Sequence, residues 1–368
     1  MEPDERRRKA ARVDGVDYAY VPTVAYRGNG MGRMFSMLLF AVFLIPCCLL
    51  LAMRRGRPDA IIYSSPHPFA VISCWIAARV LCAKFVFEVR DIWPLSLVEL
   101  GGWKATSLMT RLTGWIERFA YAHSDKVISL LPCAEPHMRS QGLEVGKFLW
   151  IPNGVDIAGP RPIKPTGKSA FARHIQSLRE QGYFVVIYAG AHGEPNALEG
   201  LVRSGELLKA CGANVKIVLV GKGERKAHLQ NVAKQCGGGM VEFHDQQPKE
   251  DIMAALPLAS AGYISLKFRP LFRFGISPNK LWDYMLVGLP IIFACKAGND
   301  PVREFGCGLS VDPDCPEQIA DAVNGLAILS EDERRMLGRK GYEAVLEDYT
   351  YEVLANKVLQ GIDREQPA

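Results

Sequence analysis

The chain has 368 residues, of which 49% are hydrophobic and 23% are charged, and its formal net charge is +5. This length predicts two domains, and this composition is that of an ordinary globular protein. The mild positive charge suits an anionic substrate or a membrane surface. Because no stretch interleaves basic and aromatic residues, a nucleic-acid partner is not expected. Ten scattered cysteines, none in a CxxC pair, indicate free thiols in a reducing cytosol and no zinc site.

The N-terminal region combines a charged run with an apolar stretch. Residues 4–12 are predicted to form a solvated tail, and residues 17–23 a short strand. Residues 35–53 contain no charge, and their length is just enough to cross a bilayer core. Since strand-like segments of one domain lie on both sides, we favour a helix of that domain whose outer face rests on a membrane surface. A spanning helix and a fully buried core helix are the alternatives.

Strands alternate with helices from residue 59 onward. In the first half, strands are predicted at 59–65, 84–91, 126–132 and 148–156, with helices at 69–81 and 106–124. A stretch rich in proline and glycine, 157–169, marks a boundary. In the second half, strands are predicted at 183–190, 215–224, 240–245, 261–266 and 291–294. This alternation predicts an α/β protein with two doubly wound parallel sheets, whose ligands bind at the carboxyl ends of the strands.

Residues 274–294 predict a loop, a helix, a turn and a strand in immediate succession. Ser277 is expected to cap the helix, with Pro278 at the first helical position. Gly288 is expected to end the helix in a left-handed conformation. The free N–H groups of the first turn, together with Lys280, suit a phosphate.

A sugar hydroxyl is the second group expected at this helix, because the Asp283 carboxylate follows one turn after Lys280. Phosphate next to ribose predicts a nucleotide. Further cations precede the helix, at Lys267, Arg269 and Arg273, and a surface charge run is the alternative interpretation of them. The residues predicted to bind the nucleotide are Gly190, Gly193, Lys222, Arg273, Ser277, Asn279, Lys280, Leu281 and Asp283.

Three residues are candidates for catalysis. Asp91 follows a strand and is predicted to act as a general base or to orient a substrate hydroxyl, with a structural Arg–Asp pair as the alternative. His192 lies in the glycine turn that begins the second domain. Lys280 is expected to stabilise the charge that develops on a diphosphate leaving group. For His67, which also follows a strand, a substrate contact and a loop hydrogen bond both stay open.

Five motifs together carry a family resemblance: FEVRDIWPLSLVELG (87–101), IPNGVD (151–156), YAGAHGEPNALEGL (188–201), VGKGE (220–224) and LFRFGISPNKLWDYMLVGLPII (271–292). Over nearly its whole length the chain resembles the GT-B glycosyltransferases of family 4. It is most similar to bacterial polysaccharide transferases of the N-acetylfucosamine-transferase type. Asp312-Pro313-Asp314 is similar to the DxD motif of metal-dependent sugar transferases, but turn and capping chemistry explains it better.

The resemblance implies two Rossmann-like domains that face a cleft: an acceptor-side domain at 1–156 and a nucleotide-sugar domain at 170–346. The last helix, 347–368, is expected to pack back on the first domain. The implied reaction is a retaining transfer from a nucleotide sugar, most often UDP-linked, to a glycan or polyprenyl-linked acceptor of cell-surface polysaccharide synthesis. No cofactor and no metal are expected. The implied location is the cytoplasmic face of the membrane.

The chain departs from the family pattern at several places. Asp283 matches the acid that binds ribose, but Gly275 occupies the place of its partner acid. The family's Arg and Lys after the first strand of the donor domain are also absent, and His192 with Lys222, Arg273 or Lys280 is expected to compensate. The first strand and the glycine loop of the acceptor domain are not recognised, which suggests either a misassigned start codon or a truncated, inactive copy.

Three alternatives remain open. A UDP-sugar 2-epimerase shares the expected architecture and needs no acceptor. A truncated, non-catalytic remnant would bind only a nucleotide or a partner. A nicotinamide oxidoreductase is disfavoured, because the dinucleotide fingerprint is missing.

Overall fold

A computed structural model of the chain describes residues 10–13, 15–26, 28, 30–65, 68–157, 169–236 and 238–363. The chain divides into two compact units. The first contains residues 1–130, 134–151 and 358–368, and the second contains residues 131–133 and 152–357. The proline-rich boundary predicted at 157–169 lies almost wholly outside the described residues.

The first unit contains a short hairpin, a long helix and a parallel sheet. The hairpin pairs β1 (Ala10–Val13) with β2 (Val16–Ala19), so the residues predicted as a charged tail are partly a strand. The sheet has the order β3-β4-β5-β6, with all neighbours parallel. Its strands are β3 (Ala60–Ser64), β4 (Lys84–Val89), β5 (Lys126–Ser129) and β6 (Phe148–Trp150). The helices are α1 (Met31–Arg55), α2 (Val71–Leu81), α3 (Leu95–Glu99), α4 (Leu108–His123) and α5 (Glu135–Ser140).

Helix α1 has 25 residues and contacts α2 along one face. It is long and apolar enough to cross a membrane, by length and composition. Only two of its side chains are buried, those of Ser36 and Ala41, so the interpretation as a fully buried core helix is wrong. Large apolar side chains are exposed along its outer face: Met31, Phe35, Leu38, Val42, Phe43, Leu50, Leu51 and Met53.

The second unit is built on a six-stranded parallel sheet of order β12-β11-β10-β7-β8-β9. Its strands are β7 (Phe184–Ala189), β8 (Val215–Val220), β9 (Val241–His244), β10 (Ala261–Ser265), β11 (Ile291–Ala294) and β12 (Gly308–Ser310). Its helices are α6 (Ala170–Glu180), α7 (Glu199–Ala210), α8 (Lys226–Gln235), α9 (Lys249–Ala255), α10 (Asn279–Leu286), α11 (Pro301–Phe305), α12 (Pro316–Ala327) and α13 (Glu331–Asp348).

Both faces of this sheet are covered, because successive residues of a strand point to opposite sides. On β7, Val185 and Ile187 pack in one apolar cluster with α6, α9, α10 and α13. Val186 and Tyr188 pack in the other cluster, with α7, α8 and α12. The near-continuous apolar runs of these strands follow from burial on both faces.

The last helix, α14 (Tyr351–Asp363), begins in the second unit, and its end belongs to the first. In the first unit, Ile362 packs against Val86 and Ile128. The carbonyl oxygen of Ile362 accepts a hydrogen bond from Nζ of Lys84 at 2.6 Å. The end of this helix therefore completes the core of the first unit.

Candidate functional site

The carboxyl ends of β7, β8 and β9 border a cavity of about 430 Å³ in the second unit. The turns after β7 and β8 contribute Gly190 and Gly221 to its wall. Its charged lining, within the described ranges, consists of Lys222, Lys249, Lys280 and Asp283. The structure thus places a charged cavity where parallel α/β sheets bind their ligands.

The two glycine turns are locked together by their backbones. The N–H of His192 donates to the carbonyl of Lys222 at 2.8 Å, and the N–H of Gly190 donates to the carbonyl of Val220 at 3.0 Å. Gly221 has φ +149°, and a side chain there would overlap the carbonyl oxygen of Gly190. Glycine is needed at Gly221 because the backbones of the two turns lie too close together to leave room for a side chain.

Lys280 extends from the first turn of α10 into the cavity. Its Nζ donates to Tyr188 Oη at 3.0 Å and to Asn196 Oδ1 at 3.4 Å, and it lies 4.4 Å from the centre of the Tyr188 ring. Burial lowers the pKa of the Lys280 amine to about 8. Among the described residues, no carboxylate forms an ion pair with it. Lys280 is therefore a desolvated cation that is free to pair with an anionic ligand.

Gly190 keeps the space in front of Lys280 open. A side chain at this position would meet the Tyr188 hydroxyl at 2.9 Å and Lys280 Nζ at 3.0 Å. Tyr188 is held in turn, since its hydroxyl donates to the carbonyl of Ala191 at 2.9 Å. The glycine turn and the lysine therefore form one arrangement, in which an anion can approach both backbone and amine.

Asp283 lies one turn after Lys280 and lines the same cavity. Its Oδ1 is 3.4 Å from Nζ of Lys249, at the start of α9. Lys249 is largely exposed, so this pair can open at little cost to accept a ligand. The carboxylate is suited to accept hydrogen bonds from hydroxyl groups.

The capping expected of Ser277 is wrong. Helix α10 begins at Asn279, its N-cap residue is Pro278, and no side chain caps it. Ser277 Oγ accepts instead from the N–H of Asn153 at 2.9 Å, and the Ser277 carbonyl accepts from Asn153 Nδ2 at 2.6 Å. The serine thus ties the loop before α10 to the IPNGVD motif.

Four other predicted residues do not line the cavity. The side chain of Leu281 is fully buried in the core, and its N–H donates to the Pro278 carbonyl at 3.0 Å, so it is not free for a phosphate. The guanidinium of Arg273 stacks on Phe274 at 4.3 Å. Gly193 borders a separate depression near Arg225. Asn279 is exposed at the start of α10 but does not line the cavity.

Gly275, in the place of the expected partner acid, has φ +98°. A side chain there would lie 2.6 Å from Cδ of Pro132 and 3.0 Å from Oδ1 of Asn299. The side-chain amide of Asn299 also holds the backbone of Ile276 through two hydrogen bonds. The local packing therefore leaves no room for an acid at this position.

His192 lies inside the protein beneath the glycine turn, fully buried. Neither ring nitrogen has a hydrogen-bond partner among the described residues. Burial, followed by the charges of Lys226 and Lys280, lowers the pKa of His192 to about 4. The imidazole is therefore neutral at pH 7, and it does not replace a missing cation as the sequence led us to expect.

Asp91 belongs to the first unit and lies two residues after the end of β4. The residue is exposed, but nearby protein atoms partly desolvate its carboxyl and raise its pKa, which the charge of Arg90 opposes. It borders a small space with Trp93 and Glu117. His67, the other strand-end candidate of this unit, lies outside the described residues.

Several cavity residues were missed by the sequence analysis. Gln246 and Gln247 follow β9, and Lys249 begins α9. The hydroxyl of Tyr284 accepts from the N–H of Ala189 at 2.8 Å, which fixes α10 against the end of β7. The rule that ligands bind at carboxyl strand ends points to the loop after β9 as well, and applying it to every strand would have found the two glutamines.

The triplet at 312–314 forms a turn, as expected. Asp312 Oδ1 accepts from the N–H of Asp314 at 3.0 Å, and Oδ2 pairs with Lys296 at 2.6 Å. This pairing leaves the Asp312 carboxylate engaged in local structure.

Comparison with known families gives two matches that together cover most of the chain. Residues 2–154 match the glycosyl transferase 4-like domain, and residues 183–328 match the glycosyl transferases group 1 domain. Among curated relatives, WcaI of Escherichia coli (strain K12), described as a colanic acid biosynthesis glycosyl transferase, is 22% identical over 76% of this chain and 69% of its own length. WbjE of Pseudomonas aeruginosa, described as a glycosyltransferase, is 21% identical over 82% of this chain and 72% of its own.

Solved structures show the same fold at low identity. HepE of Anabaena, solved with UDP and glucose, matches 86% of this chain and 81% of its own with a TM-score of 0.61 and 18% identity. Sucrose-phosphate synthase of Thermosynechococcus elongatus matches 96% of this chain and 84% of its own with a TM-score of 0.68 and 16% identity.

Proposed function

The chain belongs to the group 1, family 4 glycosyltransferases of GT-B fold that act in polysaccharide biosynthesis, and on that premise we propose that it transfers a sugar from a UDP-linked donor. The proposed acceptor is a glycan or polyprenyl-linked oligosaccharide. The second unit binds the donor, and the first presents the acceptor. The anomeric configuration of the sugar is retained.

The observation that carries this proposal is the cavity at the ends of β7, β8 and β9. It holds Lys280, a partly buried cation with no carboxylate partner in the described part of the chain, and, one helical turn away, the carboxylate of Asp283. A diphosphate next to a ribose has the complementary pattern of charge and hydroxyl groups. The volume of about 430 Å³ lies in the range of small-molecule sites. HepE, which has the same fold, was solved with UDP and with UDP-glucose.

The proposed roles follow from position. Lys280 and the exposed Lys222, which both line the cavity, stabilise the charge of the departing diphosphate. Asp283 accepts from the ribose hydroxyls. The amides of Gln246 and Gln247 are placed to donate to and accept from the edge of the base. His192 supports the turn as a buried neutral ring.

The proposed chemistry needs no covalent enzyme intermediate. The bond between the sugar C1 and the diphosphate oxygen breaks, and its electron pair leaves with the diphosphate. The acceptor oxygen then forms its bond to C1 on the same face of the sugar. The acceptor proton passes to a carboxylate, for which Asp91 is the candidate. Proximity and charge stabilisation supply the rate enhancement.

Binding of UDP tests the donor site. Isothermal titration of the intact protein is expected to show one UDP site, and Lys280→Ala is expected to weaken it at least several-fold. Lys209→Ala is the matched control, since Lys209 is exposed on α7 and does not line the cavity. Unchanged affinity in Lys280→Ala would remove the phosphate assignment. Sugar-nucleotide turnover without any acceptor would indicate a 2-epimerase instead.

We further propose that the protein associates with the cytoplasmic face of a membrane through α1. The support is the row of exposed apolar side chains on that helix and the basic residues at its end, Arg54 and Arg55. Such a combination of apolar and basic surface suits an interface that contains anionic lipid.

A further inference from the structure

A cluster of metal-ligating side chains lies outside the proposed nucleotide cavity. It consists of His174 on α6 and of Glu242 and His244 on the edge strand β9. Glu242 and His244 are two positions apart on a strand, so their side chains leave the same face of the sheet. None of the three residues lines the cavity.

The spacing of the ligand atoms is that of a coordination site. Nε2 of His174 is 2.7 Å from Oε2 of Glu242, and Nε2 of His244 is 3.6 Å from the same oxygen. One ligand atom from each residue lies within 4.8 Å of the others. In a tetrahedral zinc site with bonds of about 2.0–2.1 Å, ligand atoms are about 3.3 Å apart. Rotation of the side chains must bring atoms that are up to 4.8 Å apart to this spacing.

The surroundings hold these side chains in place. Nζ of Lys216 is 3.4 Å from the other carboxylate oxygen, Oε1 of Glu242, which leaves Oε2 directed toward the histidines. A partner on the second oxygen of a carboxylate is a common support for a metal ligand. The ring of His244 also contacts the rings of His174, at 4.9 Å, and Phe171, at 5.2 Å. The three residues are partly exposed, but Nε2 of His244 has almost no exposed area, so its ring must turn for an ion to bind.

We propose that His174, Glu242 and His244 bind one divalent transition-metal ion, with Zn²⁺ as the expected ion and water in the fourth position. Two imidazoles and one carboxylate favour Zn²⁺, Ni²⁺ or Co²⁺ over Mg²⁺ or Ca²⁺, which prefer oxygen ligands. The ion joins α6 to the edge of the six-stranded sheet. The site is structural, and it is separate from the proposed sugar transfer, which needs no metal.

Metal titration of the full-length protein, freed of metal with a chelator, tests the site. Zn²⁺ is expected to bind with one-to-one stoichiometry, and Co²⁺ to give the visible absorption of a four-coordinate ion. A Zn²⁺ concentration about tenfold above the Kd is expected to raise the Tm by about 2–4 °C.

Variants of the two histidines identify the ligands. His174→Gln, which keeps a hydrogen-bond donor for Glu242, and His244→Ala are each expected to weaken Zn²⁺ binding at least tenfold. His228→Ala is the matched control, since His228 pairs with Glu199 at 3.0 Å but has no second histidine in a ligating cluster among the described residues. Lack of stoichiometric binding, or equal affinity in His174→Gln and the His228→Ala control, would overturn the proposal. The Tm of each variant without metal shows that it is folded.

Discussion

At the scale of single residues, the charge of the donor site rests on Lys280. Its amine is buried beside Tyr188, and it has no carboxylate partner among the described residues. A buried amine without a counter-charge loses its proton more readily, which is why its pKa falls to about 8. A bound diphosphate would supply the missing charge and favour the protonated form.

This residue predicts a pH dependence of UDP binding. Only the protonated amine attracts the diphosphate, so affinity is expected to be full below about pH 8 and to fall as the pH rises through that value. The loss approaches tenfold per pH unit until the affinity of Lys280→Ala is reached. Titrations at pH 7, 8, 9 and 9.5 measure it. Lys280→Ala is expected to show a flat profile, and an equal fall in that variant would assign the effect to another group.

At the scale of elements, the glycine turns after β7 and β8 have different roles: Gly221 supports stability, and Gly190 supports UDP binding. Substitutions can distinguish the two. Gly221→Ala introduces a side chain that overlaps the backbone of Gly190, at φ +149°. We expect it to lower the free energy of unfolding by about 2–4 kcal/mol, in urea or thermal melts. Gly190→Ala meets side-chain atoms of Tyr188 and Lys280 but no backbone atom. It is expected to weaken UDP binding and to lower stability less than Gly221→Ala does; equal stability losses would contradict this division.

Helix α1 gives a second prediction at this scale. Phe35 and Val42 are 55% and 64% exposed, so Phe35→Gln with Val42→Gln should leave the Tm nearly unchanged. The loss of this apolar area is expected to reduce binding to anionic vesicles more than tenfold in flotation assays. Ile328→Gln is the control, because Ile328 is a similarly exposed apolar residue of the second unit. Unchanged flotation of the double variant would place the membrane contact elsewhere.

The elements themselves were largely predictable, because long apolar runs and helical periodicity depend on nearby residues. Strand β11 and the left-handed Gly288, with φ +66°, are confirmed. The cap of α10 was not predictable, since the hydroxyl of Ser277 is engaged by Asn153, 124 positions away. Lys249 was missed for the same reason: only the folded sheet brings the start of α9 beside Asp283.

At the scale of the whole molecule, the two halves match separate family domains, and each has its own parallel sheet and core. The family was accessible from sequence through its combined motifs, and the fold followed from strand–helix alternation. Individual roles were less accessible. The sequence around His192 does not reveal that its side chain is buried. In the folded protein the two turns enclose the ring, and this burial lowers its pKa and favours the neutral form.

Asp91 and the proposed donor cavity belong to different units, and this leads to a prediction. Among the described residues, those that line the cavity proposed for UDP all belong to the second unit, whereas Asp91 belongs to the first. Asp91→Asn removes the proposed base and is expected to lower kcat by about 10²–10⁴. This substitution leaves the donor cavity intact, so the Kd for UDP should stay within about twofold of wild type. A larger change would mean that a direct contact with the nucleotide was lost.

A matched substitution in the same unit controls for nonspecific effects. Asp59 is exposed and precedes β3, whereas Asp91 follows β4. Because β3 and β4 are parallel, Asp59 lies at the amino ends of the strands and Asp91 at their carboxyl ends. Asp59→Asn is expected to leave both kcat and UDP affinity unchanged. A fall in UDP affinity for Asp91→Asn would make this residue part of the donor site, and unchanged turnover would remove it from catalysis. Only reduced turnover with intact nucleotide binding supports Asp91 as the residue that acts on the acceptor.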